Sequence, residues 1–282
     1  ELSSCGPREN GDDLLNIFYG KERHPRTLGR IARLIRIHRD IKMRIWYLAS
    51  FPWQAYKRLF YLLGSHPGRG VQAHEKIIIQ LIIGGIIAWW LSFKLDWTEL
   101  WVPWLGHVDL GVLMAPVIIF LVVFMANAVN ITDGIDGLSA GSLIISYGAF
   151  FAIALRQQSS DISLLTATVI GALCGYILFN IKPAKYQMGD VASLGMGVLL
   201  TAIAFALDRP ILLPIIGAVF IIEIMSVILQ TTSKVFLGRR LLRMAPLHHH
   251  LEITGKGETS IVMYAWAFSA IFAIIGVWLS FQ

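Results

Sequence analysis

Seven apolar runs constrain this chain more than any other feature. They cover roughly residues 77–93, 110–126, 138–155, 162–181, 191–207, 211–229 and 261–281. Each approaches the ~20 residues that an α-helix needs to cross the hydrocarbon of a bilayer. Within lipid every backbone N–H and C=O must be satisfied inside the chain, and such runs do this as helices. The expected fold is therefore all-α, a polytopic membrane bundle of about seven transmembrane helices behind a basic amphipathic N-terminal segment. The run 191–207 is short and contains glycine, so it is the weakest of the seven. With 56% hydrophobic and 15% charged residues, the composition excludes an ordinary soluble domain.

The cations orient the bundle. Of the 24 Lys and Arg residues, 21 fall in segments 1–76, 127–137, 182–190 and 230–260, which alternate onto one side. The other side holds Lys94, Arg156 and Arg209. By the positive-inside rule the first side is cytoplasmic. The net charge of +6 is thus a topology signal, and no nucleic-acid partner is expected. Cys5 and Cys174 provide no disulfide framework. The first twenty residues lack the apolar core of a secretory signal.

Two domains are expected: 1–76, a cytoplasmic basic and amphipathic segment carrying an acidic pair, and 77–282, the transmembrane domain. From Leu28 onward, Ile31, Leu34, Ile35, Ile41, Ile45 and Leu48 recur at helical spacing, with Arg30, Arg33, Arg36 and Arg44 largely between them. That pattern fits an interfacial helix, or a helix packed on the protein's own cytoplasmic face. Phe51-Pro52-Trp53 interrupts it, and Gly64-Ser65-His66-Pro67-Gly68 reads as a loop.

The unusual polar clusters all fall on the cytoplasmic side. Asp12-Asp13 is the first. Asn130-Ile131-Thr132-Asp133-Gly134-Ile135-Asp136 is the second, with two acids on one face of a turn at the edge of an apolar run. The third runs from Asn180 through Lys182 and Lys185 to Asp190, at the start of a span, where an aspartate also serves as an ordinary helix cap. The fourth is Pro246-Leu247-His248-His249-His250, near Arg239, Arg240, Arg243 and Lys256. Consecutive helical residues point about 100° apart, so three adjacent histidines do not easily chelate one ion. Acids can hold Mg²⁺ while it bridges phosphates, cations can neutralise phosphate oxygens, and apolar grooves can hold a lipid tail. Together these point to phosphoryl transfer from a soluble diphosphate to a membrane lipid, which demands positioning and charge neutralisation.

Three motifs carry a family resemblance. Asn127-Ala128-Val129-Asn130-Ile131-Thr132-Asp133-Gly134-Ile135-Asp136-Gly137-Leu138 and Met188-Gly189-Asp190-Val191-Ala192-Ser193-Leu194 resemble the two signatures of the polyprenyl-phosphate N-acetylhexosamine-1-phosphate transferases. Met244-Ala245-Pro246-Leu247-His248-His249-His250 is similar to the histidine motif of one branch, the bacterial phospho-N-acetylmuramoyl-pentapeptide-transferases, and 223–230 also resembles that branch. The likeness covers roughly 72–280. It implies transfer of phospho-N-acetylmuramoyl-pentapeptide from UDP-MurNAc-pentapeptide to undecaprenyl phosphate. The products would be UMP and lipid I, in peptidoglycan synthesis at the bacterial inner membrane, with Mg²⁺ as cofactor and a homodimer among the expected assemblies. By motif position, Asp190 would ligate Mg²⁺ with Asp133. Asp133 and Asp136 would organise the diphosphate and nucleotide, with Asn130 beside them and Lys76 near the phosphates. Asn180, Gln187, Gln230, His248, His249 and His250 would line the nucleotide–sugar site, His249 acting in catalysis. Asp12 and Asp13 would match an early acidic pair that activates the lipid phosphate.

The sequence also departs from the family. Further spans precede the acidic pair in the family, whereas this sequence opens Glu1-Leu2-Ser3, so a piece of a longer protein, or a degenerate copy, is expected. Asn16 stands where the family has lysine, and Gln187 where many members have an aromatic that stacks on uracil. Alternatives remain: a sister transferase using a UDP-N-acetylhexosamine without peptide, a cation-coupled transporter, and a non-catalytic membrane scaffold. A transporter would place the acids near span centres; here they lie at span ends. Direct attack by the lipid phosphate is favoured over a covalent aspartyl intermediate, because the phosphate is already anionic.

Overall fold

The helices follow from composition: in apolar stretches free of internal proline breaks, the backbone satisfies itself. The computed structural model describes residues 73–282. Asp12, Asp13 and the basic stretch 21–72 lie outside the described residues. Among the described residues seven helices are long and apolar enough to cross a membrane. They are α1 (Ala73–Trp89, continued by a wider turn over Trp90–Lys94), α2 (Met114–Thr132), α3 (Leu138–Arg156), α4 (Ser160–Asn180), α5 (Gly189–Ala206), α7 (Ala218–Leu237) and α9 (Glu258–Leu279). Two short helices, α6 (Leu213–Ile216) and α8 (Leu247–Ile253), complete the set. The weakest expected run is a full helix, α5.

The bundle differs from the expectation in three places. The run 211–229 is not one helix. It breaks at Gly217, where a Cβ would sit 2.9 Å from the Leu213 carbonyl oxygen and 3.2 Å from Met125 Cε. The helix resumes at Ala218 and continues to Leu237, past the expected end. The second span extends to Thr132, so Asn127 and Asn130 are helical rather than in a loop. Between α1 and α2 lies an antiparallel hairpin, β1 (Glu99–Val102) and β2 (Gly106–Asp109), with Trp101 opposite His107. Trp101, buried beneath the hairpin, presents its ring to the Arg209 guanidinium at 3.8 Å.

The core lies between α2, α3, α5 and α7. Met125, Val129, Leu143, Tyr147, Phe150, Leu200, Ile203 and Phe220 are all buried there. Two helix backbones meet at Gly197, where a Cβ would lie 2.5 Å from the Met125 carbonyl oxygen and 2.7 Å from Ala126 Cα. Small residues at such crossings let helix backbones pack directly in lipid, where no hydrophobic force draws helices together. Tyr147 donates its hydroxyl to the Met196 carbonyl at 2.7 Å, so its polar atom is satisfied inside the bundle.

Candidate functional site

Four stretches converge at one end of the bundle: the start of α1, the turn between α2 and α3, the loop between α4 and α5, and α8. The register of α1 is set by a polar pair in the apolar zone. Asn127 donates to Gln80 Oε1 at 2.6 Å, and Gln80 is buried. Lys76 stands one turn earlier on the same face, and its Nζ donates to Asp190 Oδ2 at 2.6 Å. Asn130 Nδ2 donates to Asp190 Oδ1 at 2.9 Å and contacts Ser193 Oγ at 2.8 Å. Both carboxylate oxygens of Asp190 are thus held, while its side chain is 53% exposed and faces solvent. Gly189, at φ +67°, makes the turn into α5 in a conformation that a side chain would disfavour.

Asp133 follows the C-terminus of α2, the end of a helix that carries partial negative charge. Burial pushes its carboxyl up to about 6; a hydrogen bond from the Gly189 N–H opposes this, while Asp136 and Asp190 add to it by repulsion. Asp136 accepts the Ala184 N–H at 2.9 Å, which ties the α2–α3 turn to the α4–α5 loop. Between them Gly137, at φ +81°, opens α3. Its N–H is accepted by Asn180 Oδ1 at 3.0 Å, and its carbonyl accepts the Trp266 indole N–H at 3.1 Å. Trp266 packs over Gly141, where a Cβ would collide with the indole. A cavity of about 200 Å³ opens beside this turn, lined in part by Asp136, Lys182, Glu258 and Trp266, with Lys182 and Glu258 paired at 2.6 Å.

The three histidines diverge. His248 is buried, and its Nδ1 lies 3.0 Å from Glu223 Oε2, which also accepts the His248 backbone N–H at 3.3 Å. That contact puts the ring proton on Nδ1. Nε2 has no hydrogen-bond partner among the described residues and packs against Gly134, leaving no room for a Cβ there. His249 pairs through Nδ1 with Glu252 at 2.6 Å, and His250 Nδ1 accepts the Arg243 N–H at 3.2 Å. Glu223 escaped the sequence reading as a partner of His248. Its signal was present: an acid inside an apolar run is costly unless it is paired. Gln80 was missed for lack of any motif, and Ser193, which lies inside the second signature, was given no role.

Lys76, Asn130, Asp133 and Asp190 come together, with Asp136 and Asn180 holding the adjoining turn. Gln230 does not open onto this cluster. Its amide is occupied by the loop after α7, accepting the Leu241 and Leu242 N–H groups and donating to the Leu242 carbonyl at 2.9 Å. Gln187 is exposed, and the neighbouring Tyr186 is exposed too, set edge-on to Phe179. Among the described residues no group of three or more His, Cys, Asp or Glu side chains is assembled to hold a metal. The donor set still suits Mg²⁺, a hard cation that takes oxygen ligands and keeps much of its shell as water and substrate phosphate. Asp133 and Asp190 are mutually repulsive oxygen donors, and a cation between them would relieve that repulsion.

Residues 68–208 match Glycosyl transferase family 4. The chain is 40% identical over 211 residues to the phospho-N-acetylmuramoyl-pentapeptide-transferase of Anoxybacillus flavithermus, covering 74% of this chain and 65% of that protein. It is 40% identical over 213 residues to the protein of the same name from Geobacillus kaustophilus, and 38% over 211 to that from Bacillus subtilis, with the same coverage. The chain thus spans about two thirds of the length of the curated relatives it matches.

Proposed function

The chain belongs to glycosyl transferase family 4, and from that premise we propose that it transfers phospho-N-acetylmuramoyl-pentapeptide from UDP to undecaprenyl phosphate, releasing UMP and forming lipid I. It is a multi-pass protein of the bacterial inner membrane. The observation that carries the reading is the Lys76–Asp190–Asn130 constellation, with Asp133 beside it, at one end of the bundle. It gathers one cation and two acids where a diphosphate could meet a lipid phosphate at the membrane surface. The distribution of Lys and Arg supports a cytoplasmic placement of this end, where UDP-linked precursors would reach it.

In this reading a lipid phosphate oxygen forms a bond to the β-phosphorus of the UDP-sugar. The bond from that phosphorus to the bridging oxygen breaks, and UMP leaves with the oxygen. Lys76 neutralises phosphate oxygens, and in doing so exchanges its partner Asp190 for substrate. Asn130 and Ser193 keep Asp190 oriented once Lys76 has moved. Asp190 and Asp133 would hold Mg²⁺, which when bound supplies charge neutralisation to the diphosphate. Asp136 holds the α4–α5 loop against the acidic turn. His248 supports Gly134 from beneath, and His249 faces the nucleotide–sugar. Asp12 and Asp13 would act on the lipid phosphate. That role rests on the motif resemblance alone, as does a homodimeric assembly.

The test is UMP release by the purified chain with polyprenyl phosphate, comparing UDP-MurNAc-pentapeptide with UDP-GlcNAc, with and without Mg²⁺. Release with the pentapeptide substrate only, dependent on Mg²⁺ and lost in Asp190→Asn and His249→Ala, is the expected result. Equal turnover of UDP-GlcNAc would move the chain to the sister branch. Wild-type release by Asp190→Asn would overturn the metal assignment.

A further inference from the structure

The opposite end of the bundle holds a second polar cavity that the transfer reading does not use. It measures about 250 Å³ and is lined by Ile153, Arg156, Gln157, Arg209, Ser280 and Phe281. Arg156 ends α3 and lies over the Phe281 ring at 4.1 Å. Among the described residues it makes no ion pair. Arg209 sits in the turn between α5 and α6, its guanidinium stacked on Trp101. Its Nη1 donates to the Asp208 carbonyl at 2.7 Å and lies 3.5 Å from Asp208 Oδ2. Its Nε is buried and has no acceptor among the described residues. The Asp208 carboxylate is itself shared with His107 at 3.6 Å. Gln157 donates to the Leu207 carbonyl at 2.9 Å, which ties the end of α3 to the end of α5 and fixes the two arginines relative to each other.

Charge makes this cavity unusual. Among the described residues only three Lys or Arg lie on this side, and two of them line it. The third, Lys94, is elsewhere, over Trp89. Arg156 has no carboxylate partner among the described residues and Arg209 has only Asp208 at 3.5 Å, so an anion in the cavity would give both guanidinium groups a counter-charge. Arginine's planar fork suits phosphate in particular. The surroundings say which phosphate. Leu155, Trp278 and Phe281 are respectively 55%, 55% and 45% exposed at the ends of α3 and α9. A large apolar surface at the end of a membrane span is a lipid-facing surface, so the cavity opens at headgroup depth beside a place for acyl chains. We propose that this cavity binds the phosphodiester headgroup of an acidic lipid in the outer leaflet.

The test is native mass spectrometry of the full chain in micelles containing phosphatidylglycerol, phosphatidylcholine or inorganic phosphate. Wild type should retain phosphatidylglycerol in preference to phosphatidylcholine, and inorganic phosphate should not displace it. A charge near a membrane surface contributes on the order of 1 kcal/mol, so Arg156→Gln and Arg209→Gln should each weaken retention about fivefold. Lys94→Gln, on the same side but off the cavity, should leave it unchanged. Arg209→Gln also removes contacts to Trp101 and Asp208, so Arg156→Gln, which breaks no ion pair among the described residues, decides the matter if the other variant unfolds. Wild-type retention by Arg156→Gln would overturn the proposal. An equal loss in Lys94→Gln would overturn it in favour of diffuse surface charge. Displacement by inorganic phosphate would overturn the lipid assignment and leave a soluble anion site.

Discussion

Asp133 is a carboxylate in three unfavourable settings at once: it is partly buried, follows a helix C-terminus, and is repelled by Asp136 and Asp190. Its carboxyl is pushed from 3.8 to about 6, so the folded chain binds this proton more tightly than the unfolded chain. Stability linked to that proton is therefore complete below about pH 4 and is lost as pH rises through about 6, with no further change above. In EDTA the thermal midpoint of the chain should fall across that interval, and Asp133→Asn should flatten the curve. Saturating Mg²⁺ should flatten it as well, if the cation sits between Asp133 and Asp190. A pH dependence unchanged in Asp133→Asn would place the titration elsewhere. The acids were legible in sequence because charge at the end of an apolar run demands an explanation. Their backbone partner was not: the Ala184 N–H that Asp136 accepts is set by loop geometry, which leaves no spacing to read, and Asn180, expected to line the nucleotide–sugar site, grips Gly137 from the end of α4.

Helix packing decides whether those residues meet. Asn130 is on α2 and Asp190 on α5, and the two helices touch backbone to backbone at Gly197. Gly197→Ala should force them apart, at a cost of about 1–3 kcal/mol typical of overpacking. The 2.9 Å bond from Asn130 to Asp190 should lengthen with it. A lowered thermal midpoint together with a fall in UMP release checks this, and an unchanged midpoint would mean the crossing can relax. Spans were legible because length and apolarity suffice to define them. The break at Gly217 was not, since one glycine inside an apolar run does not by itself mark a helix end. Nor was the continuation of α7 to Leu237. There Glu223, Ser226, Gln230 and Ser233 form a buried stripe, three of them bonded to α8 or the loop before it. The outer face keeps Val235, Phe236 and Leu237 exposed. A polar stripe turned inward defeats a reading that seeks apolar residues in the core. The hairpin was hidden for a simpler reason: its strands are four residues each and lie between much stronger helical signals.

At the scale of the whole molecule, the skew of 21 cations to 3 implies one orientation in the membrane. A cysteine at Trp104 in the hairpin turn, in a Cys5→Ser, Cys174→Ser background, should react with an impermeant maleimide added outside intact cells. A cysteine at Lys185, in the loop beside Asp136, should react only after permeabilisation. The reverse pattern would invert the protein and place the acidic cluster outside. The two ends of the bundle also differ in kind: one gathers acids around a lysine, the other sets arginines against aromatic rings. The Gly137 peptide, gripped on its N–H by Asn180 and on its carbonyl by Trp266, bears on how the acidic end would meet the substrate proposed for it. Loops usually acquire their shape from the ligand, and part of the binding free energy is then consumed in ordering them. Here that ordering is completed when the chain folds. Affinity for a diphosphate can then reflect contact alone, and rigid analogues that mimic only the bound geometry should lose little against flexible ones.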